Sequence, residues 1–196
     1  MKSLLRQLLL MTAVVSAPLA ANTLTANTLA TNILADVPLA DEITLSGQPL
    51  ALNGAGIRSK FFMDLYVGSL YTPSPSQTLE SVLNAPRIAI RLNIVSGMIT
   101  SEKMQDAIIE GFDDATDGEP QAIQPQIDAF MALFSAPIAQ GDQFTLEAIK
   151  DLGVTAYKNG EKQATVEGEA FRKALLKIWL GDKPAQKSLK RAMLGE

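Results

Sequence analysis

Between Arg87 and Val95 the chain alternates with a period of two: Ile88, Ile90, Leu92 and Ile94 are apolar, and Arg87, Ala89, Arg91 and Asn93 stand between them. That is the pattern of a β-strand with one face in a core and the other polar or lined by ligand. Such a strand needs partners, and the turn signals say how they are arranged. From Glu42 onward short strands come first, then two helices, then a hairpin, then helices again. This segregated order predicts an α+β fold, an antiparallel sheet with its helices gathered on one side, rather than alternating βαβ units.

Ile43 and Leu45 begin a strand that stops at Gly47. The stretch from Leu50 to Phe61 reads as extended, with Gly54 and Gly56 suited to a bulge, a bend or the close approach of another element. Phe62 to Tyr71 continues as a strand ended by Pro73 and Pro75. Ser76 is positioned to cap a short helix through about Asn84. Thr100 or Ser101 caps a longer one with Met104, Ala107, Ile108, Phe112 and Ala115 on its apolar stripe, and a second helix carries Ile123, Ile127, Phe130, Met131 and Phe134 to near Pro137. Gln143–Lys150 and Val154–Lys158 read as strands. Asn159-Gly160 is the strongest hairpin signal in the chain, because both residues tolerate the positive φ of a type I′ turn, and Glu161–Val166 is the return strand. Phe171, Leu175, Ile178 and Trp179 define another helix face, closed by Gly181, and a last helix runs from Pro184 to about Leu194.

Composition removes several kinds of chemistry. With no Cys and no His among 196 residues, a disulfide, a Cys or His zinc site and a Ser-His-Asp triad are all excluded. The net charge of -4 argues against nucleic acid as a partner, since phosphate binding needs a surplus of Lys and Arg. At the amino terminus Lys2 and Arg6 precede the apolar run Leu8–Val15 and small residues at Ala17, Ala20 and Ala21, the three-part pattern of a secretory signal over residues 1–21. An imperfect repeat follows, Ala21-Asn22-Thr23-Leu24, Ala26-Asn27-Thr28-Leu29 and Thr31-Asn32-Ile33-Leu34. It predicts a low-complexity, mostly disordered leader over 22–41, ahead of a domain over 42–196. The expected location is periplasmic or secreted.

Four constellations merit chemistry. Gly54-Ala55-Gly56 lacks the third glycine and the βαβ setting of a dinucleotide fingerprint. Asp113, Asp114, Asp117 and Glu119 offer hard oxygens without the spacing of a calcium loop, and read as a solvated helix end. Lys183, Lys187, Lys190 and Arg191 give the last helix a basic face on which a peripheral membrane contact could form. Arg58 stands between Ile57 and Phe61-Phe62; a guanidinium cannot shed its proton, so if turned inward it requires an anion or several carbonyls. A carboxylate suits its fork, with a hydroxyl from Tyr66 or Tyr71 as a second donor.

The segment Leu52-Asn53-Gly54-Ala55-Gly56-Ile57-Arg58-Ser59-Lys60-Phe61-Phe62, followed by Leu65-Tyr66-Val67-Gly68-Ser69-Leu70-Tyr71, resembles the signature of the chalcone isomerase-like proteins, in particular their bacterial exported branch. The ending from Phe171 to Gly181 is similar to that branch as well, and together the resemblance spans about residues 42 to 194. It implies an open-faced β-sandwich, a large antiparallel sheet layered with helices and a ligand cleft between them. In the catalytic plant members an arginine, a threonine and a tyrosine assist ring closure. Arg58 matches the arginine, but Tyr66 stands in place of the threonine, Thr100 in place of the tyrosine, and Ala107 in place of a substrate-contacting asparagine. In non-catalytic relatives that bind fatty acids, an arginine and a tyrosine hold the head group, and these match Arg58 and Tyr71.

The resemblance thus implies an exported protein that binds a fatty acid or similar amphipathic carboxylate through Arg58 and Tyr71 without catalysis; Tyr66, from its place near Arg58, is a further candidate ligand-binding residue, and no cofactor or metal is expected. Two alternatives stand beside it: an isomerase, an intramolecular lyase acting on an enone, with Arg58 stabilising an enolate and Tyr66 or Tyr71 donating a proton; and a pocketless envelope interaction module. Oligomeric state is left open.

Overall fold

The computed structural model describes residues 32–196. The secretory segment expected at 1–21 and the first two copies of the leader repeat lie outside the described residues. Within the expected leader, Asn32–Leu34 (β1) and Val37–Leu39 (β2) pair antiparallel across a turn in which Ala35 and Asp36 hold positive φ. The leader therefore carries a hairpin at its carboxy end, where Ile33 and Val37 supply β-branched strand formers and Leu39 is buried.

Glu42–Leu45 (β3), Gln48–Lys60 (β4), Met63–Thr72 (β5), Arg87–Ile94 (β6), Gln143–Ile149 (β7), Gly153–Lys158 (β8) and Glu161–Glu167 (β9) form one seven-stranded sheet in sequence order, with every neighbouring pair antiparallel. Leu79–Asn84 (α1) lies between β5 and β6, Ser101–Ala115 (α2) and Gln124–Met131 (α3) lie between β6 and β7, and Glu169–Leu180 (α4) and Lys187–Met193 (α5) follow β9. This is the expected α+β arrangement.

The alternation in β6 sorts its side chains as its period requires. Ile88, Ile90, Leu92 and Ile94 join the main core with residues of α2, α3 and α4, while Ala89 lies on the opposite face with Ile43, Leu50 and Tyr71. At the centre of the main core Phe130 meets Phe112 and Phe171 edge-on, at 6.3 and 5.6 Å between centroids, a geometry that ring quadrupoles favour. The opposite face also holds a polar network: Glu147 is buried there, ion-paired with Arg87 and hydrogen-bonded by Tyr157 Oη at 2.9 Å and Ser46 Oγ at 3.1 Å.

Several boundaries differ from expectation, each for a local reason. The cap of α1 is Thr78, in a reciprocal capping box with Ser81; the Ser76 hydroxyl instead donates to the Ser74 carbonyl at 3.1 Å, and its N–H to Asn53 Oδ1 at 2.7 Å. The turn between β4 and β5 is Phe61-Phe62, both at positive φ, so neither residue is in a strand. The second long helix is α3 flanked by 3-10 turns at Pro120–Ile123 and Ala132–Phe134. The last helix starts at Lys187 rather than Pro184, and Gly181 ends α4 in extended backbone.

Helix α5 closes the structure against β4. Leu189, Met193 and Leu194 are buried, and Asn53 Nδ2 donates to both the Met193 and Ser76 carbonyls at 2.8 Å. The contact explains Gly54 and Gly56: a Cβ at Gly54 would lie 2.1 Å from the Ala192 carbonyl oxygen, and one at Gly56 would lie 2.8 Å from Ala192 Cβ. These glycines serve the close approach of another element, with a register shift between Leu52 and Gly54.

A second anchor ties α4 to α1. The fully buried Arg172 donates from Nε and Nη2 to the Glu169 carboxylate at 2.7 and 2.8 Å, and from Nη2 to the Leu83 carbonyl at 2.6 Å. The Arg172 guanidinium holds the Glu169 carboxyl down to about 2, with the Asp151 N–H adding to the effect against partial burial. A carboxyl depressed in the folded state contributes stability above its ordinary value near 4.5 and loses it as the pH falls toward 2. Melting temperatures taken from pH 6 to pH 2 are expected to fall through that window in the parent protein, with a shallower fall in Glu169→Gln. Equal slopes would remove the pair from the acid response.

Candidate functional site

In the pairing of β4 with β5, Arg58 stands directly opposite Tyr66, so the two side chains share a face of the sheet. Just beyond, between Arg58 and Ser59, the register shifts, and the irregularity is held by Gln186, the residue before α5. Gln186 Nε2 donates to the Ile57 carbonyl at 3.0 Å, and its Oε1 accepts from the Ser59 N–H at 3.0 Å and from Arg58 Nη1 at 3.1 Å. Arg58 Nη1 also donates to the Ser59 carbonyl at 2.9 Å. The guanidinium is thus fixed at Nη1 beside the Tyr66 hydroxyl, and among the described residues no carboxylate within 4.0 Å pairs with it.

Tyr66 is buried and its hydroxyl accepts a hydrogen bond from Trp179 Nε1 at 3.0 Å. Burial raises its pKa above the ordinary phenol value, against smaller opposing effects of the Trp179 hydrogen bond and the Arg58 charge. The phenol therefore stays neutral and keeps its own proton to donate.

Arg58 and Tyr66 line a cleft of about 450 Å³ between the sheet and the helices, within the range of small-molecule sites. Leu65 and Leu92 come from the sheet, Met104 and Ile108 from α2, and Ile178 and Trp179 from α4. Lys60, Lys103 and Lys183 stand at its rim, as do Asp106, Glu110 and Asp114. A cation and a neutral donor at one place, facing an apolar wall, suit a molecule with an acidic head and a greasy body.

The structure brings two of the three expected residues together. Tyr71 is not in the cleft. It stands five residues from Tyr66 on a strand whose pairing with β6 is unbroken between them, so the two phenols point to opposite faces. There Tyr71 lies with its ring 5.4 Å from the Arg91 guanidinium carbon, and its buried hydroxyl makes no hydrogen bond. The odd spacing of the two tyrosines was a readable signal that they cannot serve one site from one regular strand. Arg58 also pairs in register with Tyr66, whereas Tyr71 is opposite Leu52.

Thr100 caps α2, its hydroxyl accepting from the Lys103 N–H at 3.2 Å, and Ala107 lines the cleft with no polar atom to offer. The cleft is at odds with a pocketless module. Of the basic residues on the last helix and its approach, Lys190 donates to the Gly181 carbonyl at 2.8 Å and Lys183 pairs with Asp117 at 3.2 Å, so that face is partly used internally. Sequence reasoning missed Gln186 entirely, since a lone glutamine carries no motif. It placed Trp179 on a buried helix face but had no means to see the indole N–H reach Tyr66 across 113 positions of chain.

A family model described as chalcone isomerase-like matches residues 31–195, a span that includes the β1–β2 hairpin. Among solved structures, the crystal structure of the Arabidopsis thaliana fatty-acid binding protein AtFAP1 is similar with a TM-score of 0.63 at 14% sequence identity, covering 84% of this chain and 95% of that one. At that identity the likeness shows the fold. No curated protein matches the chain by sequence.

Proposed function

Since the chain belongs to the chalcone isomerase-like family, we propose that it binds a fatty acid or similar amphipathic carboxylate in the cleft, the head paired with Arg58 and hydrogen-bonded by Tyr66. The observation that carries this reading is an arginine at the edge of an apolar cleft whose charge no carboxylate matches among the described residues. Such a group is stable in the free protein only while water reaches it, and a bound carboxylate replaces that water with a bidentate pair. The similar fold of a protein described as fatty-acid binding supports the same reading. Binding is favoured over turnover because Thr100 is occupied as a helix cap and Ala107 offers nothing to polarise a substrate. The charged, apolar and small residues of 1–21 support an exported protein acting in the periplasm or outside the cell.

Native mass spectrometry of the purified full-length protein is expected to find a co-purified carboxylic acid. Tyr66→Phe keeps the ring and loses one hydrogen bond to a charged group, worth about 1.5–3 kcal/mol. Affinity for a fluorescent fatty-acid analogue is therefore expected to fall roughly ten- to a hundredfold, while Tyr71→Phe leaves it unchanged. An equal loss in both variants would move the head group away from Tyr66.

A further inference from the structure

Four hairpin turns among the described residues have the same shape, two residues both at positive φ. Three are built from small or turn-forming residues: Ala35-Asp36, Ser46-Gly47 and Asn159-Gly160. The fourth is Phe61-Phe62, at φ 51° and 63°. Left-handed backbone is unfavourable for bulky side chains, and two in succession compound the strain. Folding gains nothing in return, because Phe61 is 78% exposed and Phe62 wholly so. Strain and aromatic exposure together point to a use outside the fold.

The surroundings of the turn narrow that use. Lys60, Phe61 and Met63 form one lip of the cleft, and the half-exposed Met98 lies on the rim with them. Lys60 Nζ sits 5.7 Å from the Phe61 ring centre, and Lys103 is exposed on the same rim. The tip carries two phenylalanines and two partly exposed methionines. It has what entry into a lipid surface requires: rings on a protruding turn, with ammonium groups set back at the level of the head groups.

We infer that the Phe61-Phe62 turn is an insertion tip that seats the mouth of the cleft on a lipid surface. Docking stands whether or not the cleft holds a fatty acid; passage of a ligand between bilayer and cleft rests on the reading of the site given above.

The test uses the full-length protein with vesicles of phosphatidylcholine and phosphatidylglycerol in equal parts. Because an apolar amino-terminal segment could itself bind vesicles, the readout is local to the turn. In Phe62→Trp the introduced indole is expected to shift to the blue on adding vesicles and to be quenched by brominated acyl chains, whereas the buried Trp179 of the parent protein is not. Replacing the pair with the residues that the turn geometry prefers, Phe61→Asn with Phe62→Gly, is expected to raise the melting temperature and to weaken vesicle binding by about tenfold or more. That combination cannot be explained by misfolding. Arg58→Ala is expected to lose the ligand and still bind vesicles, which separates failure of the site from failure of the tip. An indole that stays unquenched, or a concentration-dependent dimer that the Phe61→Asn, Phe62→Gly variant abolishes, would each overturn the inference.

Discussion

Arg58→Ala is expected to leave the domain folded while lowering affinity for a fluorescent fatty-acid analogue by about two orders of magnitude. Truncating one partner of a desolvated charge pair costs on the order of 2–5 kcal/mol, or about thirtyfold to several thousandfold in affinity. The lower part of that range applies here, because Arg58 is half-buried and water can partly replace it. The fold is spared for a separate reason. Among the described residues the guanidinium has no carboxylate partner to strand, and Gln186 keeps its bonds to the Ser59 N–H and the Ile57 carbonyl. Arg58→Lys should fall between, retaining the charge and losing the planar fork. Titration of the three proteins alongside their melting curves checks the prediction. An Arg58→Ala affinity within threefold of the parent would place the head group elsewhere.

Gly54→Ala is expected to be among the most destabilising single-methyl changes in the molecule. The added Cβ would lie 2.1 Å from one backbone carbonyl oxygen of α5 and 2.9 Å from the next, and neither belongs to a side chain that can swing away. Relief requires α5 to lift from β4, which exposes Leu189 and Met193 and pulls the Met193 carbonyl from Asn53. Overpacking of this kind costs about 3 kcal/mol, a drop of roughly 6–12 °C in melting temperature for a domain of this size. Gly97→Ala is the control, with nothing within 4 Å of the new methyl group and no positive φ. Because Gln186 stands at the start of α5, the Gly54 variant should also loosen the clamp on Arg58 and weaken ligand binding, although it touches no cleft residue. A melting temperature equal to that of Gly97→Ala would mean that α5 is not held as described.

The Phe61-Phe62 turn shows where local reasoning failed. Aromatic residues favour strands, so 50–61 and 62–71 read as extended up to one another, and nothing nearby resembles the Asn-Gly pair that marks the β8–β9 turn so plainly. Ser76 failed in another way: it is a good cap by type, but its hydroxyl donates to the Ser74 carbonyl and its N–H to the distant Asn53, and Thr78 caps the helix.

What the amino-acid order determined alone are the features governed by neighbours in sequence: the period-two strand at β6, the apolar stripes of α2 and α4, the Asn159-Gly160 hairpin, and hence the α+β class. It also contained the constraint that Tyr66 and Tyr71, an odd number of residues apart, face opposite ways. Tertiary structure alone decided which tyrosine Arg58 meets, what holds its guanidinium, and which wall faces it. Those outcomes depend on strand register and on α5 returning to β4 across more than a hundred residues. A one-residue slip in register would exchange every side chain between core and solvent, and such pairings are set by the packing of the whole sheet rather than by any segment of it.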